Sequence, residues 1–194
     1  MSQYADGDDR AFAVVFEILG PRLLRFLRRL SGSDALAQDL LQDTLLRIHQ
    51  ARGSFRPGAS VLPWAFAIAR NVFLDSARAR KRSPIKSHAD DADTSPEPVV
   101  SAEAESHVLA REAARVVERA LMAMSSVRRE AFVLVRFEGL SIVDAAEVLG
   151  TTPNAVKLRA FQAYEVIREE LARLGGTARP LAGSAARASS GSAP

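Results

Sequence analysis

The chain reads as an all-α protein of two helical domains joined by a flexible acidic linker, and three observations predict it. Apolar residues recur at three- and four-residue intervals through long segments. Hydrophobic residues make up 47% of the 194 positions but aromatic ones only 6%, and β-branched runs are few. Between residues 83 and 105 the periodicity stops, and Pro84, Pro96 and Pro98 accompany six carboxylates against the single Lys86. The expected divisions are therefore a first domain over residues 1–82, the linker over 83–105, a second domain over 106–174, and a Gly/Ala/Ser/Pro-rich disordered tail over 175–194.

In the first domain, Asp8 or Asp9 can cap a helix from Arg10 to about Leu19. Gly20-Pro21 is expected to interrupt it, and Pro21 suits the first turn of a second helix, Arg22 to Leu30. After the loop Ser31-Gly32-Ser33, a third helix runs from Asp34 to about Ala51 with Leu36, Leu40, Leu41, Leu45 and Ile48 inward. Its outer face carries Asp39, Gln42, Asp43 and Arg47. Asp39 and Asp43 sit one turn apart, a like-charge spacing that costs a few tenths of a kcal/mol. A basic partner would relieve it, and so would a solvated face with Asp43 paired to Arg47.

Gly53 to Ser60 reads as a loop, and Pro63 opens a fourth helix continuing to Arg82, with Trp64, Ile68, Ala69, Val72 and Phe73 on its core side. Asn71, Asp75, Arg78 and Arg82 recur at intervals of four, three and four and line one polar stripe. The closing run Arg78-Ala79-Arg80-Lys81-Arg82 suits a helix C-terminus by dipole complementarity and is dense enough to hold backbone phosphates.

In the second domain, one helix is expected from Ser106 to Met124, with Val108, Leu109, Ala113, Val116, Val117 and Leu121 inward. Another runs from Val127 to Glu138 with Ala131, Phe132 and Val135 inward. The next stretch has the most specific spacing. Ser141 can cap a helix that starts at Ile142, with Asp144 completing a capping box, and Gly150 can end it in the left-handed conformation. Thr151-Thr152-Pro153-Asn154 makes a tight turn, and Asn154 can cap a helix from Ala155 to about Leu171. Two helices joined this way form a helix-turn-helix, whose second helix enters the DNA major groove. Val156, Ala160, Ala163, Ile167 and Leu171 share its buried face, leaving Asn154 at the start and Lys157, Leu158, Arg159, Phe161 and Gln162 facing outward as candidates for base and phosphate contact.

The net charge of +3 permits nucleic-acid binding without arguing for it. Without cysteine the chain has no disulfide and no thiolate chemistry. His49, His88 and His107 are scattered, with no nucleophile, metal-ligand spacing or phosphate loop nearby, so neither an enzyme nor a metal or cofactor site is expected. No apolar run is long enough to span a bilayer and no signal-peptide pattern is visible, which leads us to expect a cytoplasmic protein without membrane insertion.

Taken together, Arg10-Ala11-Phe12, Pro21-Arg22-Leu23-Leu24-Arg25, Asp39-Leu40-Leu41-Gln42-Asp43-Thr44, the run Pro63 to Asn71, and Gly139-Leu140-Ser141 through Val156-Lys157-Leu158-Arg159 resemble, in family order, a sigma factor of bacterial RNA polymerase. The two-domain layout is similar to the extracytoplasmic-function (ECF) group of the sigma-70 family. The resemblance implies a region-2-like first domain that docks on core RNA polymerase through Asp39, Gln42 and Asp43 and melts the −10 element through Asn71, Asp75, Arg78 and Arg82. It implies a region-4-like second domain that binds duplex −35 DNA and an anti-sigma factor as regulator. The six linker carboxylates against one Lys suit passage through the positively charged channel of the polymerase, and a merely solvated tether has the same composition. Leu158 stands where the family usually has a small polar residue, Gln162 where it often has Arg, and Met124-Ser125-Ser126 lacks the usual Leu-Pro. The alternative is a helix-turn-helix regulator that binds operator DNA as a dimer without recruiting polymerase.

Overall fold

The computed structural model describes Tyr4 and residues 10–56, 58–82 and 102–177. The tail beyond residue 177 and the linker from 83 to 101 lie outside the described residues. Helix α1 (Arg10–Ser31), α2 (Asp34–Ala51) and α3 (Val61–Arg82) each pack on the other two and form the first lobe.

Helix α1 is continuous, so the expected break at Gly20-Pro21 is wrong; Pro21 lies inside the helix. A proline in a helix interior costs about 3 kcal/mol. Leu19, Leu23, Phe26, Leu27 and Leu30 are buried on both sides of it in one unbroken stripe. At about 1.5–3 kcal/mol for each buried side chain, that stripe outweighs the proline.

Ser33 caps α2 by accepting a hydrogen bond from the Leu36 N–H at 3.3 Å. The residues that α2 buries are Ala37, Leu40, Thr44 and Ile48, with Leu36 and Leu41 half-buried beside them. The Thr44 hydroxyl is satisfied by donating to the Leu40 carbonyl at 2.6 Å. Helix α3 starts at Val61, two residues before the expected Pro63, which falls in its first turn. Its largest fully buried side chain is Phe66, which falls outside the core side expected from the spacing. Phe66 is fully buried and meets Phe26 edge-on with centroids 5.0 Å apart. Trp64, Ile68 and Phe73 are only half-buried, Trp64 lying edge-on to Phe55 at 5.3 Å.

The second lobe comprises α4 (Ala102–Ala123), α5 (Ser126–Phe132), a π-helical turn (Val133–Phe137), α6 (Ile142–Leu149) and α7 (Pro153–Thr177). Helix α4 begins at Ala102, four residues earlier than expected. Its burial starts only at Val116, so Val108 and Leu109, expected inward, are each 50% exposed. The expected helix to Glu138 changes pitch at Val133. There the Glu138 N–H donates to the Val133 carbonyl, five residues back, at 3.0 Å. This wider turn brings Val133, Leu134 and Glu138 inward together.

The helix-turn-helix forms from local bonds. The Asp144 N–H donates to Ser141 Oγ at 3.0 Å, Ser141 Oγ bonds Asp144 Oδ2 at 2.7 Å, and Gly150 ends α6 at φ 61°. Helix α7 starts at Pro153, and the residue that caps it is Thr152 rather than Asn154: Thr152 Oγ1 accepts from the Ala155 N–H at 3.3 Å. Proline is favoured at the first helical position because its missing N–H would be unpaired there anyway, which shifts the cap one residue upstream of it. The two lobes also touch. Helix α6 packs on α3, α1 meets α4, α5 and the π-turn, and the buried apolar residues of both lobes form one cluster.

Candidate polymerase-docking and nucleic-acid interfaces

Asp39, Gln42 and Asp43 are exposed on one face of α2, together with Leu46, which is 56% exposed. The Asp43–Arg47 pair, one of the two ways the sequence left open for relieving the acidic face, does not form. Arg47 NH1 instead reaches Asp75 Oδ2 on α3 at 2.9 Å, and neither Asp39 nor Asp43 has an ion pair among the described residues. The like-charge cost of the acidic pair is therefore left in place on an accessible surface.

On α3, Asn71, Arg78 and Arg82 are exposed and Asp75 is half-buried. Asp75 faces two guanidinium groups, with Arg47 at Oδ2 and Arg78 NH1 at 3.1 Å from Oδ1. Both carboxylate oxygens are occupied, so Asp75 holds two cations side by side. Arg47 was not anticipated at this site, because it is brought there from another helix. The hydrogen bond from Arg47, aided by both positive charges, holds the Asp75 carboxyl below its usual range. A depressed carboxyl pKa stabilises the fold above the unfolded value of about 3.9 and loses that contribution as pH falls through the folded value. Asp75→Asn is thus expected to lower the thermal midpoint at neutral pH, with the difference from wild type closing as the pH drops below about 4. Melting curves across pH check it, and a pH-independent difference would contradict it.

The helix-turn-helix exposes Asn154, Lys157, Leu158 and Phe161 on α7, Leu158 and Phe161 at 58% and 60%, while Arg159 and Gln162 are half-buried along the edges of the same face. Val156, Ala163 and Ile167 anchor the opposite side. The sequence reading missed Tyr164, which is exposed one turn further on with the Arg136 guanidinium 5.7 Å from its ring centroid. Among the described residues there is no cluster of side chains that could hold a metal ion, and no helix long and apolar enough to cross a membrane.

These faces fall inside two family models. Residues 15–83 match sigma-70 region 2 and residues 114–166 match sigma-70 region 4. The RNA polymerase sigma factor CarQ of Myxococcus xanthus is 35% identical over 174 residues, covering 90% of this chain and 97% of that one. The chain belongs to the ECF sigma factors. The ECF sigma factor SigF of Caulobacter vibrioides is 32% identical across 88% of this ECF sigma factor and 91% of its own length. In structure it is similar to the sigma factor RpoE of Bartonella quintana in complex with the anti-sigma factor NepR, with a TM-score of 0.68 and 28% identity over 84% of this chain and 98% of that one. It is also similar to CnrH in complex with the cytosolic domain of CnrY, with a TM-score of 0.64 and 26% identity over 91% and 94% of the two chains. Proteins of this family are DNA-binding factors that start transcription, and this ECF sigma factor carries both promoter-recognition regions.

Proposed function

We propose that this ECF sigma factor divides its work as follows. Asp39, Gln42 and Asp43, around the exposed Leu46, dock on the basic clamp-helix region of the largest subunit of core RNA polymerase. Asn71, Arg78 and Arg82 hold the separated −10 strand, with Asp75 acting as a positioning residue that keeps Arg47 and Arg78 side by side for its phosphates. Asn154, Lys157, Leu158, Arg159, Phe161 and Gln162 meet the −35 duplex in the major groove. The protein acts in the cytoplasm, catalyses no reaction itself, and is held in check by an anti-sigma factor, as RpoE is complexed with NepR in the solved structure. In domain terms, residues 1–82 serve polymerase and −10 binding, 83–105 tether, and 106–174 serve −35 binding.

The observation that carries this reading is the outward face of α7, where Lys157, Leu158 and Phe161 project beside a turn fixed by Gly150, Thr152 and Pro153. Two large apolar side chains held in water beside a cation suit thymine methyls and phosphates better than they suit solvent. Run-off transcription with purified core polymerase on promoter libraries tests the whole. Enrichment of a paired −35 and −10 motif supports it, whereas DNA binding by the chain alone without transcription would overturn it.

Alanine at both Asn71 and Arg78 is expected to reduce permanganate-detected melting of the −10 region while leaving −35 binding by the holoenzyme intact. Wild-type melting in that variant would mean that the stripe is a solvated surface and nothing more.

A further inference from the structure

We infer that Tyr164 is a positioning residue for the −35 complex: its ring holds the guanidinium of Arg136 beside the recognition face, where Arg136 grips a backbone phosphate just outside the bases that α7 reads. The inference rests on the −35 reading of α7 and adds to it one contact and the residue that sets it.

Two separate segments bring the pair together. Arg136 lies in the π-helical turn Val133–Phe137, ahead of the helix-turn-helix, and Tyr164 lies on α7 beyond it. The guanidinium carbon is 5.7 Å from the ring centroid, within the distance of about 6 Å at which an aromatic face attracts a cation. Leu158, Phe161 and Tyr164 follow one another at three-residue steps and form a single ridge, on the side away from Val156, Ala163 and Ile167. Tyr164 is 42% exposed, and its hydroxyl makes no hydrogen bond among the described residues. The core therefore draws little from this ring.

Arg136 is equally uncommitted. It is exposed, and among the described residues its guanidinium has neither an ion pair nor a hydrogen bond. Arg168, one turn beyond Tyr164, is by contrast tied to Glu165 at 2.6 Å. An exposed arginine samples many rotamers, and fixing one of them on a ligand costs entropy. Resting its flat face on Tyr164 removes part of that cost in advance and leaves the N–H groups along its edge unused. Those groups match a phosphate, whose oxygens accept two parallel hydrogen bonds from one guanidinium.

The length of α7 assigns that phosphate to the flank of the element. A recognition helix puts its N-terminal residues on the base edges. From Pro153 to Tyr164 the helix rises about 16 Å, more than the major-groove width of about 12 Å. Leu158 falls inside that width, whereas Tyr164 and Arg136 fall beyond it, level with the phosphates that wall the groove. A phosphate is the same whatever base it carries, so this contact fixes the register of α7 on the duplex without reading sequence.

Holoenzyme binding to promoter DNA over a series of salt concentrations tests the assignment. Arg136→Ala should weaken binding about tenfold at every −35 sequence and reduce the slope of log affinity against log salt by about 0.9, the value for one phosphate. Tyr164→Ala and Tyr164→Leu should each cost about threefold and part of the same slope, since both lack a π face although leucine keeps the bulk. Tyr164→Phe, which keeps the face and loses the hydroxyl, should bind as wild type. In the Arg136→Ala background, Tyr164→Leu should cost nothing further, because the ring then has no guanidinium to hold. Wild-type binding by Tyr164→Leu overturns the assignment, and so does a loss in Tyr164→Phe, a loss in Tyr164→Leu confined to particular base pairs, or additive losses in the double variant. Failure of the −35 reading has a different signature: wild-type holoenzyme would bind a promoter with a scrambled −35 element as tightly as the intact one, and the role of Tyr164 would fall with it.

Discussion

Reversing both charges of the acidic face, Asp39→Lys with Asp43→Lys, is expected to abolish binding to core RNA polymerase while leaving the helical circular dichroism unchanged. Both side chains are exposed on α2 and neither has an ion pair among the described residues, so the fold does not depend on their sign. The replacement exchanges one like-charge pair at helical spacing for another, which keeps the local cost at a few tenths of a kcal/mol. Against a basic partner the same exchange turns attraction into repulsion, worth several kcal/mol and hence more than about a hundredfold in affinity. Leu46→Ala, which removes apolar area from the same face, should weaken the complex without changing its salt dependence. A pull-down in which the double reversal retains wild-type affinity would show that core polymerase binds elsewhere.

The second large effect is expected on α7, and its form matters more than its size. Lys157 is an exposed point charge suited to a phosphate, so Lys157→Ala should weaken every promoter alike and flatten the salt dependence. Arg159 is half-buried and has a planar fork suited to guanine. Phe161, at 60% exposure, offers an apolar edge to a thymine methyl. Arg159→Ala or Phe161→Ala should therefore cost about 1–3 kcal/mol at particular base pairs and little elsewhere. Holoenzyme binding to single-base −35 variants at two salt concentrations distinguishes these patterns. Uniform losses in all three variants would reduce α7 to an electrostatic anchor.

What the sequence determined by itself was whatever is decided within a turn or two of chain. The helix-turn-helix was legible because Ser141 with Asp144, Gly150 and Pro153 each act on backbone groups within five residues, and such bonds form wherever the segment sits. The outward faces of α2 and α7 followed from helical period, since a stripe of apolar residues leaves its complement in water. Tertiary structure decided the rest. Pro21 sits inside α1 because a stripe packed against two other helices overrides a local breaker. Arg47 takes Asp75 rather than Asp43 because α2 and α3 cross there, and Phe66 rather than Trp64 fills the core because of where Phe26 lies. Glu138 reads as an ordinary surface residue near the end of a helix, yet a π-turn and two arginines more than a hundred residues away bury it. Periodicity tells which side of a helix avoids water, but the partner that side meets depends on contacts distant in sequence, and these form only when the whole chain has packed.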